Sequence, residues 1–230
     1  MIRSREPEIM DDPALEIRKH LWALEGLERI NRLSGSAGIV WPPIRELAHQ
    51  AKSSLWVLDI ATGAGDVPIG LWRRARQARI SLRIDGCDRN LRSVEYARER
   101  ARTAKAEVSF FPMDALEEPI PAGYDVLLSS LFLHHLDEQP TIALLRKMAA
   151  AAKQMVVIND LVRSNAGFAV ASLGTRLITS SEVVHIDGPR SVRAAYTLSE
   201  IREMLFQAGC EGGTVAWRWP FRFLAVWRKR

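Results

Sequence analysis

The stretch Leu55-Trp56-Val57-Leu58-Asp59-Ile60-Ala61-Thr62-Gly63-Ala64-Gly65-Asp66 decides the fold. Its first half is a short apolar run bounded by Ser53-Ser54 and by Gly63 and Gly65, the pattern of a parallel strand covered on both faces. Asp66, an N-cap residue type, then opens a helix. Glycine at alternate positions permits positive φ and lets a ligand lie against bare backbone. Asp59 stands at the end of the run, where an aliphatic residue is the ordinary choice. Either it caps amides of the turn or it meets a ligand.

The class of ligand follows by elimination. A dinucleotide fingerprint requires a third glycine five residues after the first. Counted from Gly63 that position is Pro68, and Asp66 sits where a diphosphate would approach. No Gly-x-x-x-x-Gly-Lys-Ser/Thr loop occurs anywhere in the chain. A glycine loop flanked by acids suits a cation without phosphate, and S-adenosyl-L-methionine is such a ligand. Asp88 closes the next strand-like run, 23 residues after Gly65, the spacing at which an acid accepts hydrogen bonds from ribose hydroxyls. Its rival role is a cap for the helix starting at Leu91. Asp114, after a third run, is placed to read an adenine edge, with Met113 packing on the ring.

Outward from this stretch, strands and helices alternate. Helices are expected over Asp66–Ala78, Leu91–Ala104, Glu138–Ala152 and Leu198–Ala208, and strands over Ser81–Cys87, Val108–Phe111, Tyr124–Ser130 and Met155–Asn159. Two last runs, Thr214–Trp219 and Phe221–Trp227, pair as a hairpin. The fold class is α/β: a doubly wound, mostly parallel sheet with an antiparallel terminal hairpin strand. Residues 53–160 make the core and 198–230 complete it. Residues 1–52 form a helical cap, with one helix over Ala14–Leu33 starting after Asp12-Pro13 and another beginning after Pro42-Pro43 and running toward Lys52. Residues 161–197 are an inserted lid: an apolar stretch, Gly167–Ile178, then a polar loop. Phe168, Leu173, Leu177 and Ile178, with Trp22 and Trp41, supply apolar surface for an acceptor.

Composition agrees with a folded, soluble chain: 230 residues, 47% apolar and 26% charged, with 32 basic against 27 acidic residues and a net charge of +5. Eleven basic and four acidic residues fall between Arg73 and Lys105, on helix faces without interleaved aromatics. That is a solvated face rather than a nucleic-acid footprint. Cys87 and Cys210 form no disulfide framework or zinc site, so a reducing cytoplasm is the expected compartment. Met1–Pro13 lacks the apolar run of a signal peptide, and no stretch is apolar for long enough to span a membrane.

The chain resembles the class I S-adenosylmethionine-dependent methyltransferases over about Leu55–Asp160. Asp59–Asp66 is similar to the loop of the quinone-biosynthesis C-methyltransferases. Tyr124-Asp125-Val126-Leu127-Leu128-Ser129-Ser130-Leu131-Phe132-Leu133-His134-His135-Leu136 resembles the fourth-strand motif of the small-molecule group. The resemblance implies a Rossmann-like seven-stranded fold. It also implies that Asp59, Gly63 and Gly65 hold the methionine part of the donor, Asp88 the ribose, and Met113, Asp114 and Ala115 the adenine, with Ala61 and Arg89 as further cofactor-binding residues. Ser129 and Ser130 would line the methyl end. Ala61 stands where glycine is usual, and Ala149–Gln154 replaces a Pro-Gly-Gly turn. No Asn-Pro-Pro-Tyr type of motif is present, so the acceptor is expected to be a small molecule, aromatic or polyketide- or quinone-like, methylated on oxygen or carbon.

An oxygen or nitrogen acceptor needs a base, and histidine is the suitable type. His134 and His135 follow the fourth strand. His185 lies in the lid beside Asp187, with Arg190, Arg193 and Tyr196 as groups to bind an acidic or phenolic acceptor. His20 and His49 fall on helical patterns as surface or packing residues, and no cluster has metal-ligand spacing. A binding module without turnover and an NAD-dependent oxidoreductase are the alternatives. Trp217, Trp219 and Trp227 pack either in the terminal hairpin or at a homodimer seam.

Overall fold

Apolar runs of five to seven residues, separated by amphipathic ones of ten to seventeen, build strands and helices because only that alternation covers both faces of a sheet. The computed structural model describes residues 1–12, 14–51 and 53–229, with the backbone alone for Asp11. Seven strands, β1 (Leu55–Ile60), β2 (Leu82–Asp88), β3 (Val108–Pro112), β4 (Val126–Ser130), β5 (Met155–Leu161), β6 (Thr214–Arg218) and β7 (Arg222–Arg228), form one sheet in the order β3-β2-β1-β4-β5-β7-β6. β1 to β5 run parallel, and β7 lies antiparallel between β5 and β6. The chain reverses its winding between β1 and β4, the place where open α/β sheets bind ligands beyond their carboxyl ends.

Side-chain alternation sorts the core into two layers. Leu55 and Val57 of β1, Val126 and Leu128 of β4 and Val157 of β5 pack under α2 (Ser36–Gln50) and α3 (Asp66–Ala78). Leu58, Ile60, Leu127, Val156, Ile158 and Phe223 pack on the opposite face against α5 (Glu138–Ala151) and α8 (Leu198–Gln207). α4 (Leu91–Ala104) joins the first layer through Val94, Ala97 and Phe110.

Three expectations are corrected. α2 begins at Ser36, not after Pro42-Pro43, and both prolines lie inside it. A proline within a helix costs roughly 3 kcal/mol in a solvated peptide. Here the burial of Ile39, Val40, Trp41, Ile44 and Leu47 on the sheet outweighs that cost. The segment expected as a polar loop is helix α7 (Glu182–Ala194), with Pro189 inside it and Val183, Val184, Val192 and Ala194 buried. Polar residues hid that period, because Asp187 and Ser191 are also buried and bind the N-terminal segment. α1 (Ile17–Leu33) starts later than the periodicity suggests: Asp12 Oδ1 accepts the Ala14 amide at 2.8 Å and forms a preceding turn. Pro13 and Lys52, named above as helix bounds, lie outside the described residues. α6 (Asn165–Ile178) coincides with the apolar stretch of the insertion, and its Ser164 side chain accepts the Gly167 amide as an N-cap.

The N-terminal and inserted segments form one layer. Ile9, Met10, Leu15, Ala23, Leu27 and Ile30 pack on Val183 and Val184 of α7. α1 also reaches the start of α4, where His20 meets Asn90 and the Arg92 guanidinium donates to the Leu15 carbonyl. An Arg100–Glu28 ion pair ties the middle of the two helices. No described helix is long and apolar enough to cross a membrane.

Candidate active site

The loop after β1 is bent by three residues at positive φ: Ala61 at 56°, Gly63 at 54° and Gly65 at 72°. The two glycines serve different ends. A Cβ on Gly65 would stand 2.6 Å from Phe110 Cζ and 2.9 Å from Ala97 Cβ, so α3 can approach β3 and α4 only without one. Nothing lies within 4 Å of the Cβ position on Gly63, which faces open space. Ala61 holds a left-handed conformation at a strain cost of about 1–3 kcal/mol typical of a non-glycine residue there.

Asp59 is buried, at 1% exposure. Thr62 Oγ1 donates to its Oδ2 at 2.7 Å, while Oδ1 has no hydrogen-bond partner. Burial, with Asp66 and Asp88 adding like charge, raises its carboxyl well above the usual range despite the Thr62 bond. A buried oxygen without a donor is unstable on its own account and fits a cationic or N–H-bearing ligand. Asn159 Oδ1, at the end of β5, is a second such atom. Both lie at the same carboxyl edge of the sheet, where Ile60 pairs with Ser129 and Ser130 with Asn159.

Asp88 acts first on the chain itself. Its Oδ2 accepts the Gly63 amide at 2.8 Å and its Oδ1 the Asn90 amide at 2.9 Å, so one carboxylate ties the glycine loop to the β2–α4 turn. The cap of α4 is Asn90, whose side chain accepts the Arg92 amide. The Met113 amide donates to the Asp88 carbonyl, which draws the β3 end to the same place. Met113 and Ala115 are buried; Asp114 Oδ1 accepts the Leu116 amide at 2.9 Å. Arg89 is exposed. The Ser129 hydroxyl is committed to the Ile60 carbonyl at 3.1 Å, and the Ser130 hydroxyl accepts from Asn159 Nδ2. Asp66 lies beside Asn31 and Arg222, and burial pushes its carboxyl up to about 6. Arg222, itself buried and lowered to about 10, donates to Ser34, Ser36 and Asn31, so this acid belongs to a network joining α1, α2 and β7.

Beyond β4, a 3-10 turn over Leu133–His135 presents the two histidines. His134 is buried, and its Nδ1 lies 2.6 Å from Asp160 Oδ1, while Asp160 Oδ2 accepts the His134 amide. Burial raises the Asp160 carboxyl, but the His134 charge and hydrogen bond outweigh it and hold it below the usual value. An ionised Asp160 only accepts, so Nδ1 keeps a proton, and whenever the ring is neutral Nε2 offers its lone pair. That Nε2 lies 3.8 Å from Glu8 Oε1, and His135 Nε2 lies 3.8 Å from Glu8 Oε2. The two rings stack with centroids 4.3 Å apart. Glu8 and Asp160 were not singled out in the sequence. The pair Asn159-Asp160 at the end of an apolar strand carries the same signal as Asp59; Glu8 carries none, being one charge among several near the N-terminus.

The other expected groups are placed elsewhere. His185 donates through Nε2 to the Thr179 carbonyl at 2.7 Å. It lines an open cleft of about 580 Å³ with Arg29, Arg176 and Glu182. Arg190 pairs with Glu6 at 3.2 Å, and Arg193 lies over the Phe168 ring at 4.7 Å. The buried Tyr196 donates its hydroxyl to the Leu136 carbonyl, and Arg3 covers its ring at 4.0 Å. Arg193 also faces Glu6 at 4.0 Å, so Arg190, Arg193 and Tyr196 fasten the N-terminal segment.

Residues 57–155 match the family model of the methyltransferase domain. Over that segment the chain is similar to this family. A search of the curated proteins returns no match. Among solved structures, the S-adenosylmethionine-dependent methyltransferase SibL is 18% identical with a TM-score of 0.66, over 95% of this chain and 60% of that one. The O-methyltransferase family 2 protein of Planctomyces limnophilus, in complex with apigenin, is 19% identical with a TM-score of 0.62, over 95% and 63%. Magnesium protoporphyrin IX methyltransferase of Synechocystis with bound S-adenosylmethionine is 15% identical with a TM-score of 0.58, over 95% and 100%. The chain spans about three fifths of the length of the first two. These likenesses establish the fold of the methyltransferase domain.

Proposed function

We propose that the chain transfers a methyl group from S-adenosylmethionine to an oxygen atom of a small, aromatic or polyketide- or quinone-like acceptor. The single observation that carries this reading is the buried, unpartnered Oδ1 of Asp59 beside the open backbone at Gly63. Both fit a cation laid on the loop. The cofactor supplies a methyl group that already bears its leaving group, which leaves positioning and exclusion of water to the protein. Asp59, Ala61, Gly63 and Gly65 hold the methionine end, Asp88 the ribose, and Met113, Asp114 and Ala115 the adenine. The layer of α1, α6 and α7 covers the edge.

Oxygen is favoured over carbon by His134. Its ring is fixed by Asp160, as a base for an acceptor hydroxyl must be, and its Nε2 lone pair receives the proton. His135 and Glu8 flank it. The test is S-adenosylhomocysteine formation, read by mass spectrometry, with a panel of phenols, hydroxyquinones and polyketides. Product with at least one hydroxylated acceptor is expected, together with loss of kcat by about 10²–10⁴-fold in His134→Ala. A folded, cofactor-binding protein that yields none with any acceptor is a binding module instead.

A further inference from the structure

The geometry points to a divalent transition-metal site formed by Glu8, His134 and His135. One ligand atom from each, a Glu8 oxygen and a nitrogen of each ring, lie within 4.8 Å of one another. Two imidazoles and one carboxylate are the donor set of three-ligand zinc and iron(II) sites that keep further positions open. Metal–ligand bonds of about 2.1 Å place tetrahedral ligands about 3.4 Å apart; each ring lies 3.8 Å from one of the two Glu8 oxygens, and a set spread over no more than 4.8 Å closes on an ion by side-chain movement alone.

Two of the three ligands are also held from behind, as metal ligands generally are. Asp160 Oδ1 accepts a hydrogen bond from His134 Nδ1 at 2.6 Å and leaves Nε2 for the ion. The Ser191 hydroxyl donates to Glu8 Oε1 at 2.5 Å. Asp187 fixes the backbone around Glu8, accepting the Ile9 and Met10 amides at 2.9 and 3.0 Å. Side-chain exposures of 5%, 24% and 13% for His134, His135 and Glu8 leave the cluster half open to an entering ion or acceptor. A chain of separate observations, in the N-terminal segment, at the β4 end and in α7, therefore converges on one point.

The site itself stands without the methyl-transfer reading; its role rests on that reading. An ion there uses the lone pair that His134 otherwise offers to a proton, and its open position is the place for the acceptor's hydroxyl oxygen. The metal-free and metal-loaded proteins then differ in how that oxygen is activated.

The experiment is a titration of tag-free, metal-stripped full-length protein with Co²⁺ alone, followed by visible absorption. One equivalent per chain with the strong bands of a four- or five-coordinate ion is expected, and each of Glu8→Gln and His135→Ala should weaken binding more than tenfold. Asp160→Asn should weaken it by about 10–100-fold. Because His134 and Asp160 are buried, the Glu8 and His135 variants decide the matter, with circular dichroism melts showing that they fold. Should either unfold, Glu8→Asp and His135→Asn replace them. Absence of binding, or equal binding by wild type and both variants, overturns the site. S-Adenosylhomocysteine formation by metal-stripped protein separates the two proposals: product without Co²⁺ binding removes only the metal, and Co²⁺ binding without product under any condition removes only the methyl-transfer reading.

Discussion

Asp59 combines two effects that a single substitution can separate. Its raised carboxyl means that the cofactor-free folded chain holds a proton that the unfolded chain has released near pH 4. The stability linked to that proton is present at low pH and is lost as pH rises through the folded value. Asn has the shape of the protonated acid, so Asp59→Asn should match wild type near pH 4 and exceed it in urea midpoint at pH 8. The same change should weaken S-adenosylmethionine binding, because a cation prefers the ionised acid, and calorimetry should show affinity rising with pH in wild type and a flatter dependence in the variant. The glycines give a matched contrast. Gly65→Ala meets Phe110 and Ala97 and should destabilise the fold by about 1–3 kcal/mol. Gly63→Ala meets nothing and should act mainly on cofactor affinity, seen as a changed Kd with a smaller loss of Tm. At this scale the acids and glycines were legible in the sequence because they interrupt an apolar pattern. The pairing of Asp66 with Asn31 and Arg222 was not, since a charge on a helix start looks the same whatever faces it.

Elements show where local signals held and where packing overruled them. α8 starts with a full capping box: Thr197 accepts the Glu200 amide, and Glu200 accepts the Thr197 amide at 2.7 Å. Thr197→Ala should therefore cost about 1 kcal/mol in denaturant unfolding, with the slope unchanged. β1, β4 and β5 were legible because parallel strands buried on both faces are near-continuous apolar runs, and β2 and β3, toward the sheet edge, through their place in the alternation of strands and helices. α2 and α7 were not legible in full. Prolines at 42, 43 and 189 argue locally against helix, and only contact with the sheet and with the N-terminal segment makes the helical arrangement favourable. The caps themselves were misplaced by a residue or two: α3 is capped at Gly65 rather than Asp66 and α4 by Asn90 rather than Asp88, while the Ser164 cap of α6 was not singled out.

For the molecule as a whole, the N-terminal segment is the part whose role depends on everything else. Arg3 donates to the Ala194 and Leu136 carbonyls at 2.7 Å each and covers Tyr196, linking residues far apart in the chain. Arg3→Ala should lower stability by about 1–3 kcal/mol and raise the acceptor KM more than the cofactor Kd. A thermal melt with steady-state kinetics checks both. The amino-acid order by itself determined the alternation of strands and helices, the glycine bend and the acids at strand ends, because those are set by periodicity and by short-range sterics. Only the tertiary structure decided that Glu8 meets His134 and His135, that Asp160 orients His134, and that Arg190, Arg193 and Tyr196 fasten the first residues. Such meetings join side chains 26 residues apart for His134 and Asp160 and more than a hundred apart for the others, and no local pattern encodes which group will fill the space opposite each.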